Sequence, residues 1–219
     1  MHVVLHKDII PESCLPTFNS TTIEMNIPKI EGLAEKFILF NDDMFPNGEL
    51  SESDFFCDGL PIYQLINRTH AMNTFRMQCR NSYRLAKEVS GYTSDNQNGN
   101  QYFYIKHSAD PMLRSVCLEL WNKAGDKILK SLTKFREPFN YTQYLFPDYA
   151  IMTNRWKEGE FDFAYYTSMS LQAITDDIEN SIHKMICIND CKDSDFEHDK
   201  ECILSAFRKR YPNKSRFER

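Results

Sequence analysis

Apolar residues fall in short blocks along the chain, broken by polar turns, and the blocks change period from one segment to the next. Residues 2–6 form a β-like apolar run, and a strand starting at the first residue implies a preceding segment. After a loop, Asn19, Ser20, Thr21 and Thr22 offer helix N-caps, with Glu24 three residues after Thr21 as a capping box requires; Pro28 then interrupts the helix. Residues 37–40 are the most strand-like stretch, and the run stops abruptly on Asn41, Asp42 and Asp43. Pro46, Asn47 and Gly48 make a turn, after which Asp54, Phe55 and Phe56 come back toward the carboxylates. Residues 73–89 have helical spacing, closed by Gly91, and residues 90–101 read as a polar surface loop or a seam between lobes. A strand is predicted over 102–105, ending at His107. Helices follow over 112–123, 126–134 and 141–156, then a weaker strand over 163–166 and a helix over 171–183. A strand over 185–188 ends on Asn189 and Asp190, and an amphipathic helix over 195–211 precedes a basic tail. Strands interleaved with helices predict an α/β fold, in which ligands sit beyond the carboxyl ends of strands.

Composition narrows the possibilities. A chain of 219 residues holds one domain or at most two. No apolar stretch is long enough to span a bilayer, and the N-terminus lacks a signal-peptide core and cleavage site, so the chain reads as soluble. A net charge of −5 leaves no basic footprint for nonspecific nucleic-acid binding. The seven cysteines are odd in number and scattered, which favours a reducing compartment over a disulfide scaffold. Cys187, Cys191, His198 and Cys202 have spacings usable by zinc, but Cys187 lies in an apolar run and there is no C-x-x-C knuckle, so a small buried hydrophobe is the favoured reading. Asn67, Asn140 and Asn213 open N-x-S/T sequons, which matter only in a secretory compartment.

The segment FILFNDDMF carries the strongest candidate chemistry. A buried strand delivering Asp42 and Asp43 to its end is a way of holding a divalent cation against a nucleotide phosphate; the same residues also form ordinary turns. Taken alone, Glu24 reads as a capping carboxylate, His107 as a satisfied histidine, and Arg136 beside Glu137 as a surface ion pair.

The segment LPTFNSTTIEMNIPKIEGLAEKFILFNDDMF, with DFF following, resembles the second conserved region of the Stealth family of sugar-1-phosphate transferases. His107 and LELWNKAGDKILKSLTKFRE are similar to the third region, and ICINDCKDSDFEHDKECILSAFRKRYPNKSRFE to the fourth. The resemblance thus implies a single catalytic domain over 1–219, with the second region and its following helix in 1–89, the polar loop in 90–101, the third region in 102–156, a connecting segment in 157–183 and the fourth region in 184–219. The family's first region, which helps hold the nucleotide, is absent; the chain is either a fragment or a shortened member, and a partner segment is expected to supply the missing part. The third region spells its histidine-proline signature loosely, with Ser108, Ala109 and Asp110 before Pro111.

The resemblance implies an open Rossmann-like nucleotide-sugar transferase sheet flanked by helices, incomplete at the N-terminus. It assigns catalytic positions to Glu24, Asp43, His107 and Arg136, and substrate binding to Asn19, Asn41, Asn189 and Asp190. Asp42 and Asp43 are expected to hold Mg²⁺ or Mn²⁺. The implied reaction moves sugar-1-phosphate from a nucleotide sugar, expected to be a UDP-sugar, onto a glycan hydroxyl in capsular or surface-polysaccharide synthesis, in the cytoplasm and at the inner face of the membrane. Two other classes stay open: an inactive nucleotide-sugar or glycan binder, favoured by the missing region, and an ordinary metal-dependent glycosyltransferase.

Overall fold

The structure is a computed structural model that describes all residues except Met1, 67–71, 95–101, 192–194, 215 and 217–219. The elements run α1 (His6–Ile9), α2 (Ser20–Asn26), β1 (Lys36–Leu39), β2 (Met44–Pro46), β3 (Phe56–Cys57), β4 (Leu60–Tyr63), α3 (Thr74–Ser90), β5 (Asp110–Leu113), α4 (Arg114–Ser131), α5 (Leu145–Met152), β6 (Lys157–Glu158), β7 (Phe163–Thr167), α6 (Leu171–Asn180), β8 (Met185–Asn189) and α7 (Phe196–Arg210). The fold is α/β, as the sequence predicts, with its strands in small open sheets. The chain divides into two compact units: His2–Leu39 with Phe55–Gly159, and Phe40–Asp54 with Glu160–Arg219.

The larger unit is mostly helical. Its centre is α5, whose eight residues are all buried, as befits a helix apolar on nearly every side. Helix α3 packs Cys79, Ser82, Tyr83 and Ala86 inward at i, i+3, i+4, i+7 spacing. Asn73 caps its start by accepting from the Arg76 N–H, and Gly91 ends it at φ 72°, a left-handed conformation that glycine adopts without steric cost. β1 pairs antiparallel with β5, from Lys36 opposite Leu113 to Leu39 opposite Asp110. A second sheet runs β3-β4-β6, with β4 and β6 parallel.

The smaller unit contains a β-α-β element. β7 and β8 are parallel neighbours joined through α6, and β2 lies antiparallel on the other side of β8. Ile174, Ile178, Ile186 and Ala206 bury a core of their own, with Phe45 and Phe207 packed against it.

Several predicted elements take other forms. Residues 2–5 form no strand; Val3 and Leu5 are exposed, and Asp8 accepts from the Leu5 N–H at the start of the short helix α1. The strand predicted over 102–105 is a single bridge between Leu65 and Ile105. The strand that does form nearby is β5, so the helix predicted from 112 begins at Arg114. The helices predicted over 112–123 and 126–134 are one helix kinked at Ala124 (φ −128°, ψ 15°), next to Gly125. The helix predicted over 141–156 shrinks to α5, because residues before Leu145 are tied in turns, with the Leu145 N–H on the Thr142 carbonyl. Most of the polar loop over 90–101, and the sequon at Asn67, lie outside the described residues.

Candidate functional site

In the larger unit, α2 is set in place by its first residues. Asn19, only 1% exposed, is the N-cap: its Oδ1 accepts from the Thr21 N–H, and its Nδ2 donates to Thr133 Oγ1 at 3.1 Å and Asn140 Oδ1 at 3.0 Å. Asn140 in turn accepts from the Glu137 N–H at 2.7 Å. The start of α2 is thereby fastened to the segment after α4, which brings Ser20 to Arg136; the guanidinium Nη2 donates to Ser20 Oγ at 2.6 Å. Glu24 is therefore not the second half of a capping box. It sits one turn further along the helix, and Glu24 Oε2 accepts from the Gln143 N–H at 3.3 Å.

Burial raises the Glu24 pKa above the ordinary carboxylate value, opposed by hydrogen bonds from Ser20 and the Gln143 backbone and by the charge of Arg136. Asp110, on β5, is also buried. Loss of water pushes its pKa well up, the neighbouring charge of Glu24 adds to the rise, and a bond from the Gln143 side chain opposes it. Two carboxyl groups in a poorly solvated site resist ionising together, so each holds its proton more tightly than a free carboxyl does. The next residue, Tyr144, brings in the imidazole: its hydroxyl lies 3.3 Å from His107 Nδ1. Burial and the nearby acidic groups hold the Tyr144 pKa well above that of a free phenol, so the phenol stays protonated. Arg136, Ser20, Glu24, Gln143, Tyr144 and His107 thus form a connected series within one unit, from an exposed guanidinium to a half-buried imidazole.

In the smaller unit, Asp43 precedes β2, beside the carboxyl end of β8; its carbonyl accepts from the Ile188 N–H at 2.9 Å. Oδ2 of Asp43 accepts from Asn189 Nδ2 at 2.8 Å and from the Cys187 thiol at 3.2 Å. Burial first, and then this carboxylate, push the Cys187 thiol up to about 12, so it is a neutral donor. The NDD segment and the IND strand end lie together here, at the carboxyl edge of the parallel pair, where α/β sheets bind ligands. A half-buried carboxylate steered by two donors suits one oxygen-ligand position of a hard cation. Asp42 and Asp190 are exposed, and Asn41 lies in the turn whose carbonyl accepts from the Met44 N–H. Asp54 pairs with Lys184 at 2.6 Å and accepts from the Ser51 N–H at 2.7 Å.

Sequence patterns missed four residues that shape these sites. Asp110 looks like a breaker beside Pro111, yet an acid within an otherwise apolar strand is a sign of a functional burial. Ser20 and Tyr144 carry no local signal, because their partners come from distant segments. Cys187 reads correctly as buried, but its bond to Asp43 is tertiary. The zinc spacing leads elsewhere: Cys191 contacts Ser168, and Cys202 lies beside His198.

The larger unit thus holds a buried carboxyl, an imidazole and a guanidinium in one series, and the smaller unit, taken by itself, holds a steered carboxylate at a β-α-β edge; the protein is of the α/β class, with groups of the kind that act on anionic substrates. Comparison with known proteins agrees. Residues 1–61 match the profile described as Stealth protein CR2, conserved region 2. Exopolysaccharide phosphotransferase cps2G of Lactiplantibacillus plantarum is 32% identical, over 99% of this chain and 73% of that protein. A capsular polysaccharide phosphotransferase WcwK of Streptococcus pneumoniae is 31% identical over 100% and 75%, and receptor polysaccharide phosphotransferase WefC of Streptococcus oralis is 27% identical over 99% and 74%. The chain belongs to the Stealth family of sugar-phosphate transferases.

Proposed function

We propose that the protein transfers sugar-1-phosphate from a nucleotide sugar to a glycan hydroxyl during capsular or surface-polysaccharide synthesis. The observation that carries this reading is the connected series from Arg136 through Ser20 and Glu24 to Tyr144 and His107. The acceptor oxygen attacks the phosphorus nearer the sugar, the bond from that phosphorus to the bridging oxygen breaks, and nucleoside monophosphate leaves with the bond's electron pair. The acceptor's proton passes to His107 Nε2, in the tautomer whose Nδ1–H faces the Tyr144 hydroxyl. Arg136 holds phosphate oxygens through its planar fork, and Glu24 orients the acceptor hydroxyl. Such reactions are driven mainly by alignment and charge neutralisation. Asp43, steered by Asn189 and Cys187, is the residue suited to a Mg²⁺ or Mn²⁺ ion, which neutralises diphosphate charge when bound. The donor is a UDP-sugar. The setting is cytoplasmic, with peripheral docking at the inner face of the membrane; no described helix is long and apolar enough to cross one.

His107→Ala and Asp43→Ala are each expected to lower turnover by at least about a hundredfold while leaving the circular dichroism spectrum unchanged. Chelation is expected to stop the wild type, with Mg²⁺ restoring it. Turnover retained in either variant removes that residue from the mechanism.

A further inference from the structure

Phe18 and Phe135 are 70% and 61% exposed, yet they are ordered against one another, with ring centroids 5.5 Å apart and planes within 9° of parallel. Their backbones are fixed. The Phe18 N–H donates to the Lys134 carbonyl at 2.8 Å, and the Phe135 carbonyl accepts from Thr133 Oγ1 at 2.7 Å and Asn19 Nδ2 at 3.3 Å. The stack is therefore preformed, and its rings remain open to water where burial of that apolar area would have stabilised the fold. Each ring is also next in the chain to the candidate site. Phe18 precedes the N-cap of α2, and Phe135 precedes Arg136, whose exposed guanidinium is aimed by Ser20.

We propose that the Phe18–Phe135 stack seats the nucleobase of the donor while Arg136 takes its phosphates. This rests on the transferase reading and extends it to a base subsite. A flat π surface beside a fixed cation matches a ligand that joins a planar ring to an anion. A neutral sugar would use the rings but offer the guanidinium no charge, whereas a nucleotide uses both. Stacking tolerates any base, because every base has a π face, so the subsite supplies affinity and Arg136 supplies the demand for phosphate.

The test is calorimetric titration of UDP, ADP and GDP, and separately of inorganic pyrophosphate, into the wild type and Phe18→Leu/Phe135→Leu. Leucine keeps the site apolar and removes the ring faces. Affinity for the tightest nucleotide is expected to fall about tenfold to a hundredfold, with pyrophosphate affinity and the circular dichroism spectrum unchanged. Phe18→Trp, with a larger ring face, is expected to raise nucleotide affinity. Equal losses for pyrophosphate, no loss for any nucleotide, or an effect confined to the KM of the glycan acceptor would each overturn the proposal. If the wild type binds a nucleotide through these rings yet transfers no sugar phosphate, the subsite stands and the transferase reading fails. If transfer proceeds and the double variant keeps its donor affinity, the subsite fails alone.

Discussion

Asn19 shows how one small side chain sets the geometry of larger ones. Its amide closes the first turn of α2 and ties that turn to Thr133 and Asn140, which is why Ser20 and Arg136 meet. The resemblance assigns it to substrate; its side chain is buried, and its hydrogen bonds fix the start of the helix on which Ser20 and Glu24 stand. Asn19→Ala is expected to destabilise by about 2–4 kcal/mol, combining a lost cap of about 1 kcal/mol with stranded buried partners at about 1–3 kcal/mol. Urea denaturation measures this, and a loss below about 0.5 kcal/mol, the level of an ordinary surface change, would show that the cap is not what holds the segment.

At the level of elements, α5 is the clearest case of chemistry hidden by packing. Its Asp148 is 1% exposed, and burial alone raises its pKa well above the ordinary value of 3.8. The folded state therefore binds this proton more tightly than the unfolded chain does. Its contribution to stability is fully present below pH 3.8 and is lost as pH rises through the higher folded-state pKa. Asp148→Asn removes that dependence, so the wild type is expected to lose more stability than the variant between about pH 5 and about pH 8. Urea denaturation at the two pH values decides it; an equal or smaller loss in the wild type would contradict the buried-acid account.

Elements whose ends carry local chemistry were readable from sequence. Asn73 and Gly91 mark α3, Asp195 caps α7 by accepting from the His198 N–H, and β-rich runs mark β1, β7 and β8. The strand β5 was hidden because Asp110 and Pro111 signal a break. It exists because β1 offers a paired edge and because Tyr63 donates to the Pro111 carbonyl at 2.9 Å. Likewise, the residues of NDD, FNS and KFRE were legible as motifs. Their connections through Ser20, Gln143 and Tyr144 were not, since those contacts span more than a hundred positions of sequence or depend on which atoms of a turn face inward.

On the scale of the whole molecule, a mostly helical unit carries the series from Arg136 through Ser20 and Glu24 to Tyr144 and His107, and a β-α-β unit carries the Asp43 carboxylate held by Asn189 and Cys187. The chain covers about three quarters of the phosphotransferases it resembles, and the identity of the released nucleotide separates sugar-phosphate transfer from ordinary glycosyl transfer. The decisive measurement is product analysis after incubating the protein with Mg²⁺, a UDP-sugar and an acceptor glycan, reading the nucleotide by chromatography and the new linkage by phosphorus NMR. Release of UMP in step with a phosphodiester on the glycan is the predicted result. Release of UDP with a phosphate-free glycosidic bond would contradict it.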